Sequence, residues 1–288
     1  MPFPRVLVLG AAGRIGALLR ACWPEGQGLW QARRAQAGPG WMIADPLADP
    51  AALARAAAGC DAVLCLAGVT PAAAARGAEY HLNTALALAA VRAGAEAGAR
   101  VLLASSAAVY GRAAGPLREE DALAPVSEYG RAKAAMEEAA LTLGAELGIR
   151  VCALRIGNIA GLDAALGGWR PGFVLDRFAD GRTPVRSYIG PVTLARLLGE
   201  LAGAELPEIL PEFLNVAAPG AVEMGALLEA AGLDWTPRAA GPGAIPEVVF
   251  DLARLARAVP LDAATPESLV AEWRKVPDQI RDDRGVCR

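Results

Sequence analysis

The chain has 288 residues, 54% of them hydrophobic, and its 28 basic and 31 acidic residues give a formal charge of −3. This length suffices for one large α/β domain, or for a domain with a small lobe. The near-neutral charge leaves no basic stripe to neutralise the phosphates of a duplex, so no nucleic-acid partner is expected. No apolar run approaches the roughly 20 residues that span a bilayer, so no membrane partner is expected either.

The five cysteines are odd in number and their spacings fit no zinc pattern. Cys65 and Cys152 lie inside apolar, strand-like runs, where a reduced thiol packs as a small hydrophobic group. The sequence therefore predicts a cytoplasmic protein without disulfides and without a bound metal.

Short apolar runs alternate with alanine-rich helical stretches over the first two-thirds of the chain. The predicted strands are 5–9, 61–66, 100–104 and 150–155, and the predicted helices are 50–58, 84–97 and 128–147. Such alternation predicts βαβ units with right-handed crossovers, which build a doubly wound parallel sheet. A ligand is then expected beyond the carboxyl ends of the strands, where the strand order reverses.

Beyond Gly157 the pattern weakens. Residues 157–190 are rich in Gly, Pro and Trp, as is typical of a substrate-facing lobe, and a short run at 213–217 predicts one more strand. We therefore assign residues 1–156 to the main domain, to which 191–218 returns. Residues 157–190 and 219–288 are assigned to a small C-terminal substrate lobe.

A glycine-rich turn follows the first predicted strand and opens a helix. Gly10, Gly13 and Gly16 allow a tight turn, a close approach of the backbone to a pyrophosphate and close helix–sheet packing, in that order. The helix N-terminus offers free N–H groups to phosphates. We predict a dinucleotide site that also includes Arg14 and Ile15, so that the main domain binds NAD(P). An ordinary strand–helix turn is the alternative.

A second strand is predicted at 28–32, and Arg33 and Arg34 follow it. An NAD-specific site usually carries an acidic residue here to bind the ribose hydroxyls. Two guanidinium groups suit the 2′-phosphate of NADP instead, because a planar fork pairs with phosphate through two hydrogen bonds. The sequence thus favours NADP over NAD, and a solvated surface cluster is the alternative.

Tyr129 and Lys133 lie four residues apart, one turn along the same helical face. The pKa of a free tyrosine is about 10, and a neighbouring ammonium favours the phenolate. The tyrosine could then exchange a proton with an alcohol or a carbonyl while a hydride moves, and the lysine could hold the nicotinamide ribose. Ser106, just after a predicted strand, could hydrogen-bond the reacting oxygen.

Together these residues resemble the extended short-chain dehydrogenase/reductases, the NAD-dependent epimerases and dehydratases typified by UDP-glucose 4-epimerase. The resembling segments are GAAGRIG, DAVLCLAG, SSAAVYG and YGRAK. The resemblance implies a Rossmann-like fold with a catalytic triad of Ser106, Tyr129 and Lys133, and a homodimer formed through the helices at 84–97 and 128–147. It also implies cofactor contacts from Asp45, Pro46, Leu66, Ala67, Gly68 and Asn83. The substrate contacts that it implies are Ser106, Asn158 and Arg186.

The departures from the family pattern concern the substrate. Ala107 and Ala108 stand where dehydratases of this group carry Asp and Glu, so dehydration is disfavoured. The predicted function is therefore that of an NAD(P)-dependent oxidoreductase or epimerase acting on a sugar, a nucleotide sugar or a related small carbonyl compound. A non-catalytic NADP(H)-binding sensor or scaffold on the same fold is the alternative.

Overall fold

A computed structural model of the protein describes residues 4–24, 28–112, 115–203 and 210–281. Its strands are β1 (Val6–Leu9), β2 (Gly28–Ala32), β3 (Trp41–Ile43), β4 (Ala62–Cys65), β5 (Arg100–Ser106), β6 (Pro116–Leu117), β7 (Val151–Ile156), β8 (Asn158–Ile159), β9 (Val174–Arg177), β10 (Val185–Ile189), β11 (Phe213–Val216), β12 (Ala221–Glu223), β13 (Thr236–Ala239) and β14 (Glu247–Phe250). Its helices are α1 (Arg14–Cys22), α2 (Pro50–Ala57), α3 (Pro71–Ala74), α4 (Leu82–Ala97), α5 (Glu128–Leu147), α6 (Pro191–Ala202), α7 (Met224–Ala231), α8 (Ala253–Ala258), α9 (Pro266–Lys275) and α10 (Asp278–Arg281).

Within the described residues, a seven-stranded sheet runs in the order β11-β7-β5-β4-β1-β2-β3, and every pairing in it is parallel. The chain starts at β1, moves outward through β2 and β3, and then crosses to β4 on the other side of β1. This reversal between β1 and β4 is the switch point at which doubly wound sheets bind ligands. The predicted fold class, a Rossmann-like doubly wound α/β fold, is confirmed.

Both faces of this sheet are covered, which explains why its central strands are continuous apolar runs. All four residues of β1 and of β4 are buried. Helices α1 and α6 pack on one face, and α2, α4 and α5 pack on the other. Glycine allows close contact there: a Cβ at Gly94 in α4 would lie 2.4 Å from a methyl carbon of Val101 in β5.

Smaller sheets contain most of the strands beyond β7. One joins β12, β10, β14 and β6, with β8 paired to β10, and the other pairs β13 with β9. Strand β11 instead pairs with β7 in the main sheet, and α6 packs against α1. The domain boundaries themselves stay a prediction.

Two further observations concern the cysteines and the length and polarity of the helices. Cys22, Cys60, Cys65 and Cys152 are free thiols, and Cys287 lies outside the described residues. In the part of the chain that the structure describes, no helix combines the length and the apolar character needed to cross a membrane.

Candidate active site

The glycine turn between β1 and α1 depends on close backbone contacts. Gly10 has a φ of +75°, and a Cβ there would lie 2.6 Å from the backbone nitrogen of Ala67. A Cβ at Gly16 would lie 2.5 Å from the Cα of Ala11. Because L side chains rarely adopt that φ and neither Cβ has room, only glycine fits these two positions without displacing the backbone.

Helix α1 begins with an N-terminus that no side chain caps. Gly13 occupies the N-cap position, and Ala12, Gly13 and Arg14 are exposed, whereas Ile15 packs partly against the core. The first N–H groups of a helix have no acceptor within the helix, so they remain available to an anion. The turn therefore fits the pyrophosphate of a dinucleotide.

Gln31 is a residue of this region that the sequence analysis missed. Its side chain is buried near the end of β2, accepts a hydrogen bond from Gly10 N at 2.9 Å and donates one to the carbonyl of Ala44 at 2.7 Å. It thereby ties the glycine turn to the segment after β3. Gln31 is a polar residue inside an otherwise apolar strand, and this pattern could have indicated its role. Buried polar groups are nearly always hydrogen-bonded, so such a residue is expected to hold a neighbouring segment.

Arg33 and Arg34 directly follow β2, and both are exposed. Neither forms a salt bridge with another described residue. Asp45 is half-buried, and its carboxylate accepts the backbone N–H of Leu47 at 2.9 Å, which stabilises the turn before α2. Pro46 beside it is buried. Because Arg33 and Arg34 are exposed and form no salt bridge with another described residue, their guanidinium groups keep their full hydrogen-bonding capacity for an anionic ligand.

The loop after β4 approaches the site from the other side of the switch point. Leu66 and Ala67 are half-buried and Gly68 is exposed, and a Cβ at Gly68 would lie 2.5 Å from Oδ1 of Asn83. Asn83 is fully buried; its Oδ1 accepts from Val69 N at 3.1 Å and its Nδ2 donates to the carbonyl of Tyr80 at 3.0 Å. The side chain of Asn83 therefore holds the loop after β4 in place by hydrogen-bonding the backbone of that loop.

Ser106 and α5 meet at the carboxyl end of β5. Ser106 is the last residue of that strand, and its Oγ accepts a hydrogen bond from Ala108 N at 3.2 Å. Helix α5 is capped by Ser127, whose Oγ accepts from Gly130 N at 3.0 Å. A Cβ at Gly130 would lie 2.4 Å from the carbonyl oxygen of Ala108, so glycine allows the helix to begin beside the Ser106 turn.

Tyr129 and Lys133 stand together in the first turns of α5. The Tyr129 hydroxyl is hydrogen-bonded with Ser106. Lys133 is buried; its Nζ donates to the carbonyl of Ala104 at 2.7 Å and lies 6.0 Å from the centre of the Tyr129 ring. The structure thus brings Ser106, Tyr129 and Lys133 into one centre. It also places Lys133 beside the β4 loop, since a Cβ at Gly68 would lie 3.4 Å from Nζ.

Burial dominates the ionisation of both groups. It raises the pKa of Tyr129, against the opposing effect of the Ser106 hydrogen bond. Desolvation of the phenolate is the largest cause of this shift, and the neighbouring Tyr80 raises the pKa further. Burial likewise lowers the pKa of Lys133 to about 8, although Cys65 and Glu137 favour its charged form.

A buried polar network behind this centre was also missed. Glu137 and Arg155 form a salt bridge of 2.9 Å with side chains 1% and 2% exposed, and Arg155 donates to the Tyr110 hydroxyl at 3.0 Å. That hydroxyl in turn donates to Asn215 at 2.7 Å. Charged residues within otherwise buried elements could have indicated such a network in the sequence. Their partners lie on other elements, so only the folded structure reveals which residues pair.

The predicted substrate residues Ser106, Asn158 and Arg186 lie on β5, β8 and β10. Ser106 is in register with Ile156, so Asn158 follows from the same edge of the main sheet. Asn158 pairs with Tyr188 in the β8–β10 ladder, and their side chains are hydrogen-bonded. Arg186, also on β10, is half-buried and donates to the carbonyls of Val185, Ile245 and Pro246.

Comparisons with known proteins show the family to which the chain belongs. The sequence profile of the NAD-dependent epimerase/dehydratase family matches residues 6–174. A UDP-glucose 4-epimerase of Azospirillum brasilense is 33% identical over 214 residues, which cover 68% of this chain and 58% of that protein. The match thus spans little more than half the length of this relative.

Solved structures of sugar-nucleotide enzymes share the fold over nearly the whole chain. MoeE5 in complex with UDP-glucuronic acid and NAD has a TM-score of 0.72 at 24% identity, covering 96% of this chain and 99% of its own. The NAD-dependent NDP-hexosamine 5,6-dehydratase TunA has a TM-score of 0.73 at 21% identity, with coverages of 96% and 99%. The profile match confirms the resemblance seen in the sequence: the chain belongs to the NAD-dependent epimerase/dehydratase family.

Proposed function

We propose that this protein is an NAD(P)-dependent oxidoreductase or epimerase that moves a hydride between the nicotinamide and an alcohol or carbonyl carbon of a nucleotide-linked sugar. The observation that carries the proposal is the meeting of Ser106, Tyr129 and Lys133 at the carboxyl edge of the sheet. This centre adjoins the loop after β4, which contacts the glycine turn through Ala67 and Gly10.

The nicotinamide, when bound, supplies or accepts the hydride. Tyr129 is the acid–base group: because burial raises its pKa, the neutral phenol is the resting form and donates its proton to a carbonyl oxygen. In the oxidative direction the phenolate form of Tyr129, which the Ser106 hydrogen bond and the positive charge of Lys133 favour, accepts the alcohol proton. Ser106 also orients the reacting oxygen. Lys133, with a pKa of about 8, is largely protonated near neutral pH.

Ala107 and Ala108 favour epimerisation or net reduction over dehydration. Both are half-buried in the turn that follows Ser106, beside the start of α5. Elimination of water requires groups that remove and donate protons at the neighbouring carbon, and methyl side chains have no such capacity.

Arg33 and Arg34 support NADP as the preferred cofactor. They stand exposed at the end of β2, without a carboxylate partner among the described residues. A phosphate bound there would form charge-assisted hydrogen bonds that a ribose hydroxyl cannot match.

Asn158 and Arg186 support a nucleotide sugar as substrate. Arg186 donates only to backbone carbonyls among its described partners, so its positive charge is not neutralised by a carboxylate. A partly buried, uncompensated guanidinium suits the diphosphate of such a substrate.

We further propose a homodimer formed through α4 and α5. The outer faces of these helices form a groove whose lining includes Leu88, Ala135, Ala139 and Thr142. Small side chains let helices of a second copy approach closely. Light scattering should give twice the mass of the chain, and a monomeric mass would reject the dimer.

Incubation of the cofactor-stripped protein with UDP-glucose and either NAD(P)⁺ or NAD(P)H tests the catalytic proposal. An epimer formed with a catalytic amount of cofactor indicates an epimerase. Stoichiometric conversion of the cofactor indicates a net oxidoreductase, for which UDP-4-keto sugars provide the reductive substrate. Tight cofactor binding without conversion of any nucleotide sugar would instead support the sensor alternative.

A further inference from the structure

Two elements carry the proposed catalytic groups, and two adjacent contacts join them. β5 ends with Ser106, whereas α5 carries Tyr129 and Lys133. Lys133 Nζ donates to the carbonyl of Ala104, and one helical turn later the Glu137 carboxylate accepts a hydrogen bond from Ser105 Oγ. Residues four apart on the helix therefore hold two consecutive residues of the strand, immediately before Ser106.

Glu137 is itself held rigidly. Arg155 of β7 donates from Nη2 to Oε2 at 2.9 Å and from Nε to both carboxylate oxygens at 3.2 Å. The other end of the guanidinium donates to the Tyr110 hydroxyl and to the carbonyl of Glu119. A planar guanidinium group with this many fixed acceptors has little freedom to move. The Glu137 carboxylate that it binds is therefore held in one position as well.

The surroundings of Lys133 make the charge of Glu137 important. Lys133 faces Cys65 of β4, and on its own helix it faces Tyr129 and Glu137. Burial disfavours its ammonium, and the Glu137 carboxylate opposes that effect. Arg155 lies on the far side of Glu137 as the direct partner of its carboxylate, at 2.9 Å.

We propose that Glu137 is a positioning residue of the active centre, which fixes Lys133 and Ser106 relative to each other by binding Ser105 while paired with Arg155. The proposal rests on the proposed function, because it assigns a role toward that same centre. Glu137 does not touch the substrate: its side chain is 1% exposed and its described partners are all protein groups.

The first test needs neither substrate nor cofactor. The chain has two lysines, Lys133 and the exposed Lys275, so isotope-labelled lysine gives two NMR signals, one of them an internal reference. In Glu137→Gln, removal of the negative charge should lower the pKa of Lys133 by roughly one pH unit, while Lys275 titrates as before. An unchanged Lys133 titration in the folded variant would overturn the proposal.

The second test keeps the buried salt bridge and removes only the Ser105 bond. Ser105→Ala should lower kcat about tenfold with little change in KM or in cofactor affinity, because the groups are present but misplaced. The Lys133 NMR signal should also move, since the strand end that it contacts is no longer held.

Thr183→Val is the matched control for the second test. Thr183 Oγ1 is another buried hydroxyl bonded to a carboxylate, Glu223 at 3.1 Å, but it lies in the segment just before β10. Equal kcat and an unshifted Lys133 signal in Ser105→Ala and Thr183→Val would contradict the positioning role, even if Glu137→Gln fails to fold. Absence of turnover in the unmutated protein would contradict the proposed function alone, because the lysine signals still report on Glu137.

Discussion

The predicted cofactor end of the main sheet and the predicted substrate lobe position their side chains by different means. At the cofactor end, glycines let backbone segments touch, and buried amides such as Gln31 and Asn83 fasten the loops. In the predicted lobe, side chains hold one another: Asn158 bonds Tyr188, whose hydroxyl donates to Asp163 at 2.8 Å. The first region depends on close contacts between backbone segments, and the second depends on hydrogen bonds between side chains.

This difference predicts which property of the protein a substitution in each region should change. A change in the glycine turn should damage stability and cofactor binding together, because the turn is part of the sheet. A change in the lobe should affect substrate binding while leaving the cofactor site intact. Tyr129 stands where both regions meet, so its loss should affect turnover without affecting either binding step.

The largest loss of activity is expected when Tyr129 is substituted. Tyr129→Phe should lower turnover roughly a thousandfold, because the proton donor is lost while the ring remains. Steady-state kinetics and calorimetric titration should show cofactor affinity changed less than about twofold. Tyr80→Phe is the matched control, since its ring centre lies 6.2 Å from that of Tyr129. Similar losses in both variants would argue against a specific role for Tyr129.

The next effect tests the cofactor end. Gly10→Ala should destabilise the fold by about 2–4 kcal/mol in denaturant unfolding and weaken cofactor binding, because positive φ and steric overlap combine there. Gly77→Ala is the control: Gly77 has a φ of +92°, but its Cβ would meet open space within 4 Å. Equal destabilisation of the two variants would mean that contact with Ala67 contributes nothing.

The lobe is tested by Arg186→Ala. We expect KM for a nucleotide sugar to rise about tenfold, since loss of a charge-assisted hydrogen bond costs about 1.5–3 kcal/mol. Cofactor affinity should not change. Arg182→Ala removes an exposed arginine that already pairs with Asp180 and Glu247, and its KM should stay near the original value. A rise in KM for both variants would indicate a general effect of charge.

The smallest effect concerns cofactor choice. The double variant Arg33→Ala, Arg34→Ala should weaken NADPH binding by about fivefold to tenfold and leave NADH binding unchanged, because the exposed guanidiniums are partly screened by solvent. Parallel calorimetric titrations measure both affinities. Arg196→Ala, which removes a surface arginine from α6, should alter neither. Equal losses for NADPH and NADH would remove the argument for NADP.

Sequence patterns predicted several strands and helices of the main sheet well, because each element depends on residues close together in the chain. The strand at 28–32 and the helix at 128–147 have the predicted bounds, and the glycine turn follows β1 as expected. The lobe was harder to predict, since β8, β12 and β14 are too short for alternation to appear. Their pairing with β10 depends on segments far apart in the chain.

The sequence by itself determined the alternation of strands and helices, the glycine turn and the Tyr129–Lys133 spacing, because each depends on residues close to one another in the chain. Only the tertiary structure decided that Glu137 pairs with Arg155, that Gln31 fastens the glycine turn and that burial raises the pKa of Tyr129. These features depend on desolvation and on partners from other elements. Both arise only when the chain has folded and buried those groups together.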